Sequence, residues 1–138
     1  MYRKILVGYD GSDAGRRAFD VALKLSAKHG AELWVVAVSQ PLAVGDEVET
    51  EAVIENSRNY HHRLLSDLKS MVAKTSVKVH YEVAVGHPAE QIIYHADQHS
   101  VDLIVVGDRG RSKFARLLLG SVSKHVVEYA GRPVMIAR

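Results

Sequence analysis

Residues 102–110 read Asp-Leu-Ile-Val-Val-Gly-Asp-Arg-Gly, an apolar run that leads into a glycine-rich turn. The continuous run at 103–106 is typical of a strand covered on both faces, as in a parallel sheet. Nine residues separate Gly110 from residues 120–123, which read Gly-Ser-Val-Ser and begin a helix-like stretch. Glycines let backbone N–H groups approach an anion, and a helix N-terminus adds unpaired donors and partial positive charge. The segment therefore predicts an α/β fold with a phosphate-binding loop.

The rest of the chain alternates short β-branched runs with longer helical periods. The predicted strands are Lys4–Tyr9, Glu32–Val38, Lys78–Val85, Leu103–Gly107 and Pro133–Ala137. The predicted helices are Asp13–His29 with Ser12 as N-cap and Gly30 as its stop, Glu47–Lys74, one that begins at Pro88, and one from about Ser121 to Ala130. Right-handed crossovers make this order a single-domain, open, mostly parallel five-stranded sheet over residues 1–138, with helices on both faces.

Composition excludes several functional classes. The chain has 138 residues, a net charge of +2 and no cysteine. The small net charge argues against a nucleic-acid partner or an anionic membrane surface. The absence of cysteine excludes disulfides, thiolate metal sites and a cysteine nucleophile. No apolar run reaches the length of a membrane span, so we expect a soluble, cytoplasmic protein.

A second candidate site segment lies at the end of the first predicted strand, where residues 8–12 read Gly-Tyr-Asp-Gly-Ser. In doubly wound sheets the ligand crevice opens at the carboxyl ends of the strands, where the strand order reverses. Asp10 can accept hydrogen bonds from a ribose hydroxyl or an adenine amino group there. It can equally form the Asx turn that any tight strand–helix connection uses. The sequence leaves both roles open.

The loop after residue 107 carries four cations, Arg109, Arg111, Lys113 and Arg116, which favours an anionic ligand over an ordinary polar loop. The spacing does not match a Walker A loop, because the lysine that reaches the terminal phosphates is absent. It does not match the dinucleotide fingerprint either, which follows the first strand.

These segments resemble the universal stress protein family. The resemblance rests on residues 7–12, on 102–107, on the Gly-x2-Gly-x9-Gly-Ser spacing from Gly107 to Ser121, and on the closing Pro-Val-Met-Ile at 133–136. It covers the whole chain, and the glycine spacing is that of the ATP-binding branch. The resemblance implies a Rossmann-like, adenine nucleotide alpha-hydrolase-like sheet of order 3-2-1-4-5.

The resemblance also implies a site for ATP with Mg²⁺. Asp10 would contact the adenosine, the Val38 backbone would meet the adenine, and Gly107 would lie near the ribose. The residues expected around the phosphates are Arg109, Gly110, Gly120, Ser121, Val122 and Ser123. Two residues depart from the family pattern, Asp108 where an uncharged residue is common and Phe114 where a small one is common. A carboxylate beside a triphosphate weakens binding unless it points outward or faces the metal.

The preferred interpretation is an ATP-binding regulatory or stress-response protein that forms a homodimer through its short, apolar C-terminal edge strand. Its protein partner cannot be read from the sequence. One alternative is a slow ATPase or nucleotide-processing enzyme, for which Asp108 is the least implausible general base; no catalytic residue is assigned. The other is an interaction protein whose loop no longer binds nucleotide.

Histidine is abundant, with eight in the chain, and His95 and His99 have the i, i+4 spacing that can bind Zn²⁺. The sequence offers no obvious third ligand, and both residues fall off the inward face set by Ile92, Ile93 and Ala96. We therefore expect a solvated helix face and assign no metal-binding residue.

Overall fold

The computed structural model describes residues 1–40, 51–109 and 119–138 and alternates strands with helices. The strands are β1 (Lys4–Gly8), β2 (Glu32–Ser39), β3 (Val79–Val85), β4 (Leu103–Gly107) and β5 (Val134–Ala137). The helices are α1 (Asp13–His29), α2 (Glu51–Ser66), α3 (Lys69–Val72), α4 (Pro88–His99) and α5 (Ser121–Tyr129). Apart from the second helix, the predicted bounds are confirmed to within about one residue. No helix of these ranges is both long and apolar enough for a membrane crossing.

The five strands form one sheet of order β3-β2-β1-β4-β5, and every pairing is parallel. This confirms the α/β fold class and the order 3-2-1-4-5. The central strand β1 lies between β2 and β4, so the strand order reverses at β1. The carboxyl ends of β1 and β4 therefore flank the crevice that this topology creates.

The sheet is covered on both faces, which explains the unbroken apolar runs. Successive residues of a strand point to opposite faces, so Ile5 and Val7 pack beneath α1 and α2, and Leu6 packs on the side of α4 and α5. On the first face the largest fully buried partners are Phe19, Leu33 and Leu68. On the second they are Ile104, Val101 and Val126.

Both ends of α1 are fixed by local chemistry. Ser12 has extended backbone angles, and its Oγ accepts a hydrogen bond from the Gly15 amide at 3.0 Å. Gly30 ends the helix in the left-handed conformation, at φ 67°. The predicted N-cap and stop are therefore confirmed, and they set the helix N-terminus at the carboxyl edge of the sheet.

The prediction of one helix over Glu47–Lys74 is wrong at its second half, because the helix divides into α2 and α3. Between them, Leu68 N donates to Leu65 O and Met71 N donates to Leu68 O, each at 3.1 Å. These i to i+3 bonds tighten the backbone into a 3₁₀-like turn. The turn carries Leu68 into the core, where it is fully buried. The predicted start at residues 47–50 lies outside the described residues.

Candidate functional site

A cleft opens at the carboxyl edge of the sheet, between the ends of β1, β2 and β4 and the first turns of α1, α4 and α5. Its described walls enclose a cavity of about 120 Å³ that opens to solvent. We call this the carboxyl-edge cleft, and its lining residues are Gly8, Tyr9, Asp10, Gly15, Val36, Val38, Pro88, Ile92, Val106, Gly107, Arg109, Val122 and Ser123. It lies where the strand order reverses, which is the ligand position that the topology predicts.

The lining of the cleft is mostly apolar, with few charged groups. Among its described lining residues, Asp10 is the only acid and Arg109 the only cation. The apolar contribution comes from branched side chains on β2, β4, α4 and α5, namely Val36, Val38, Ile92, Val106 and Val122. Small-molecule sites commonly have this composition, since apolar walls hold a flat group and a few polar groups orient it.

Asp10 forms the turn between β1 and α1. Its Oδ1 accepts from Ser12 N at 2.9 Å and from Ser12 Oγ at 2.5 Å, and Gly11 between them takes a φ of 81°. This is an Asx turn, one of the two roles that the sequence left open. The same side chain lines the carboxyl-edge cleft, so its contact with a ligand stays a prediction.

The backbone after β4 is joined to the start of α5. Gly120 N donates to Asp108 O at 2.7 Å, and Ser123 Oγ donates to Gly120 O at 3.0 Å and to Asp108 O at 3.3 Å. Ser123 is almost fully buried. These two donors are therefore engaged by carbonyls of the chain itself, and a phosphate that used both would have to displace the carbonyls of Asp108 and Gly120.

The Asp108 carboxylate faces α1. Its Oδ1 lies 3.6 Å from a terminal nitrogen of Arg17, and its side chain is 19% exposed. The residue is not among those that line the described cleft. The negative charge is thus turned toward a cation on the neighbouring helix, although this buried oxygen accepts no hydrogen bond from the described residues.

Two glycines of the site permit close packing of α1 on the sheet. A Cβ at Gly107 would lie 2.8 Å from the carbonyl oxygen of Ala14, and one at Gly15 would lie 2.7 Å from Oδ1 of Asp10. A side chain at Gly107 would therefore push the helix away from β4. In this structure the glycine is required by helix–strand contact, whatever it does toward a ligand.

Several of the predicted site residues meet in the cleft. Those that line it are Asp10, Val38, Gly107, Arg109, Val122 and Ser123. Gly120 and Ser121 are at the start of α5 and are not among the lining residues. Gly110 lies outside the described residues, as do Arg111, Lys113, Phe114 and Arg116.

Sequence reasoning missed the contribution of α4. Pro88 and Ile92 line the cleft, although β3, which precedes them, is not adjacent to β1. The only available signal was the right-handed crossover from β3 to β4, which carries α4 across the sheet. Val36 and Val106 were predicted as strand residues but not as residues that line the cleft. How far the cleft extends between the strands depends on the packing of several elements, which the sequence near each residue does not show.

The prediction of a solvated face at His95 and His99 is wrong. Their side chains are 19% and 28% exposed, and each forms a contact with the carboxylate of Glu82 on β3. Glu82 is therefore the third potential ligand that the sequence did not reveal, and it comes from a different element, the strand β3.

Fold and cleft together define the class of protein. A parallel sheet of order 3-2-1-4-5 with a cleft beside its central strand is the architecture of the adenine nucleotide alpha-hydrolase-like α/β proteins. The model of the universal stress protein family matches residues 1–138. The chain belongs to the universal stress protein family.

Individual relatives agree with this placement. The universal stress protein YxiE of Bacillus subtilis is 35% identical over 148 residues, which cover 100% of both chains. The structure of the universal stress protein UspA from Lactobacillus plantarum superposes with a TM-score of 0.78 at 29% identity, over 99% of this chain and 98% of that one. A crystal structure of a universal stress protein in complex with cAMP also has a TM-score of 0.78, at 26% identity over 99% of this chain and 97% of that one.

Proposed function

We propose that the chain binds an adenine nucleotide, ATP with Mg²⁺, in the carboxyl-edge cleft, and that occupancy of this site gives it a regulatory or stress-response role in the cytoplasm. The observation that carries the proposal is the meeting of Asp10, Val38 and Arg109 in one cleft at the switch point of the sheet. The structural relative in complex with cAMP supports an adenine nucleotide as the ligand class.

The chemistry of the lining fits such a ligand. Branched side chains such as Val38 and Ile92 offer apolar contact to the flat adenine ring. The Asp10 carboxylate accepts hydrogen bonds from ribose hydroxyls or the adenine amino group. Arg109 supplies the positive charge that phosphates require, and Mg²⁺ would accompany the phosphate oxygens.

The described lining favours binding over catalysis. A general base for hydrolysis has to reach the attacking water. Asp108 faces Arg17 instead, and Oδ1 of Asp10 accepts two hydrogen bonds from Ser12. We therefore propose a nucleotide-responsive protein with, at most, slow ATP hydrolysis.

A homodimer through β5 is the second part of the proposal. β5 pairs only with β4 and forms one edge of the described sheet. Val134, Met135 and Ile136 are half-buried there, and a short apolar edge invites antiparallel pairing with a second copy. Sedimentation equilibrium is expected to give the mass of a dimer; a monomer at every concentration would contradict it.

Calorimetric titration of nucleotide-free protein with ATP, with and without Mg²⁺, tests the ligand. We expect saturable binding near one ATP per chain. Arg109→Ala should weaken ATP binding about tenfold or more, which is about 1.4 kcal/mol, and should weaken AMP binding less, because AMP has fewer phosphates. Lys124→Ala removes an exposed cation from α5 that does not line the cleft, and it should leave both affinities unchanged.

A second pair of variants tests the apolar wall. Val38→Trp should fill the cleft and abolish binding of every adenine nucleotide. Val127→Trp enlarges a valine that is 47% exposed on α5 and should bind as the parent does. If the folded parent chain binds no adenine nucleotide at all, the proposal fails, and the interaction-protein alternative takes its place.

A further inference from the structure

A cluster of metal-ligating side chains lies away from the carboxyl-edge cleft, at the outer edge of the sheet. Glu82 of β3 and His95 and His99 of α4 bring one ligand atom each within 4.8 Å of one another. Both sites use α4: Pro88 and Ile92 of its first half line the cleft, and His95 and His99 of its second half belong to the cluster. We call these three residues the histidine cluster.

The two histidines converge on the two oxygens of one carboxylate. His95 Nδ1 lies 2.5 Å from Glu82 Oε2, and His99 Nε2 lies 2.6 Å from Glu82 Oε1. Both nitrogens therefore lie in direct contact with the carboxylate oxygens, at the short end of polar contacts. Each imidazole therefore already points its ligating nitrogen at the third ligand.

Local geometry explains the convergence. Residues four apart share one face of a helix, so His95 and His99 project together. Glu82 and His80 are two residues apart on β3, so their side chains point to the same face of the sheet. This is the face that α4 covers, and Trp34 lies on it as well. Because β3 is an edge strand of the described sheet, the cluster is reached from solvent at the side of the sheet.

Aromatic packing holds both imidazoles in place. The His99 ring stacks on Trp34 with centroids 4.8 Å apart, and the Tyr94 ring meets His95 edge-on at 5.4 Å. Trp34 is almost fully buried. A site whose ligands are oriented before the ion arrives loses less conformational freedom on binding.

We propose that Glu82, His95 and His99 bind one divalent transition-metal ion, for which Zn²⁺ is the best fit. Two imidazole nitrogens and one carboxylate oxygen form a donor set that suits Zn²⁺ and excludes Mg²⁺ or Ca²⁺ as preferred ions. The hydrogen on each ligating nitrogen moves to the other ring nitrogen or to solvent, and the ion takes its place. Water completes the fourth position.

Only a small adjustment is needed to admit the ion. Zinc–ligand distances of about 2.0–2.2 Å place tetrahedral ligand atoms roughly 3.2–3.6 Å apart. The Glu82 oxygen that binds the ion must therefore withdraw by about 1 Å from the imidazole that it contacts, and the ligand atoms, which lie within 4.8 Å of one another, must all come to about 3.6 Å or less. Rotations of the three side chains provide these shifts. The 19–28% exposure of the three side chains leaves a path for the ion.

The test uses untagged, chelator-treated full chain titrated with ZnCl₂ by calorimetry. We expect one Zn²⁺ per chain, with the affinity lowered at least tenfold in each of Glu82→Gln, His95→Ala and His99→Ala. His62→Ala removes an exposed histidine of α2 and is the matched control, which should bind as the parent does. Circular dichroism confirms that each variant is folded, and Glu82→Gln keeps the side-chain volume.

Two spectroscopic readouts identify the ligands directly. The chain has a single tryptophan, Trp34, in contact with His99. Cu²⁺ should therefore quench its fluorescence with the same stoichiometry, and Co²⁺ should show the visible absorption of a four-coordinate ion. A folded parent chain that binds no Zn²⁺, or binding that survives all three cluster substitutions, would overturn the proposal. Nucleotide affinity is measured separately, so either proposal can fail alone.

Discussion

The two edges of the sheet are built by different means. At the carboxyl edge, most of the hydrogen bonds have a backbone partner: the Gly120 amide donates to the Asp108 carbonyl, Ser123 Oγ donates to the Gly120 carbonyl, and Gly107 lets α1 approach. Toward the amino edge, side chains make the contacts: Glu32 binds His80 at 3.1 Å, and Arg132 binds Asp97 at 3.0 Å.

The difference matters for what each edge tolerates. An edge with close backbone contacts is sensitive to an added Cβ. A side-chain-built edge is sensitive to truncation and to pH. Substitutions should therefore separate three properties: nucleotide binding at the carboxyl edge, Zn²⁺ binding in the histidine cluster at the β3 side of the sheet, and acid sensitivity at Asp102 near the amino edge.

The largest effect is expected from Trp34→Ala. This side chain packs in the core beneath α4 and against the rings of His80 and His99. Its removal should lower the free energy of unfolding by about 3–4 kcal/mol and remove the packing that orients the rings of His80 and His99. Urea unfolding followed by circular dichroism measures the loss. Trp34→Phe should cost clearly less, and equal losses would mean that ring packing is not the cause.

The second largest effect is expected from Gly107→Ala, which should lower the free energy of unfolding by about 2–3 kcal/mol. The reason is that the new Cβ meets the backbone of Ala14 and not a flexible side chain. Gly131→Ala is the control, since a Cβ there has nothing within 4 Å. The Gly107 variant should also lose nucleotide binding while it keeps Zn²⁺ affinity. Loss of both affinities in a folded variant would contradict the independence of the cleft and the histidine cluster.

The smallest effect concerns Asp102, at the start of β4. Its Oδ2 accepts the amides of Arg3 and Lys4 at 2.8 and 2.9 Å, and these bonds lower the pKa of the carboxyl below its usual 3.8. The stabilisation is therefore complete above about pH 3.8 and is lost as the pH falls through the lowered folded-state pKa.

Asp102→Asn should lower the free energy of unfolding by about 0.5–1 kcal/mol at pH 7. The value is small because the carboxylate is largely exposed and its charge is screened. The difference from the parent chain should shrink as the pH falls below 3.8. Unfolding curves measured at pH 7 and near pH 3 check this. A difference that stays constant with pH would show that the lost contact does not depend on charge.

Much of the carboxyl edge could be predicted from the sequence, because its signals are local. Ser12 caps α1 there as expected, Asp10 forms its turn, and Val38 and Arg109, which the family resemblance implied, line the cleft with it. Turn chemistry and glycine spacing act over a few residues, so they can be read along the chain. The direction of the Asp108 carboxylate could not be predicted, since its partner Arg17 lies on another helix.

The sequence by itself determined the alternation of elements and the parallel sheet, since buried strands and right-handed crossovers leave few other arrangements. The strand order followed from the family resemblance, and the structure confirmed it. The sequence also determined the family. Only the tertiary structure decided that Leu68 breaks the second helix, that α4 lines the cleft, and that Glu82 meets His99, seventeen residues away. Such contacts depend on how elements pack across the sheet, and no local pattern records the distance between two side chains on different elements.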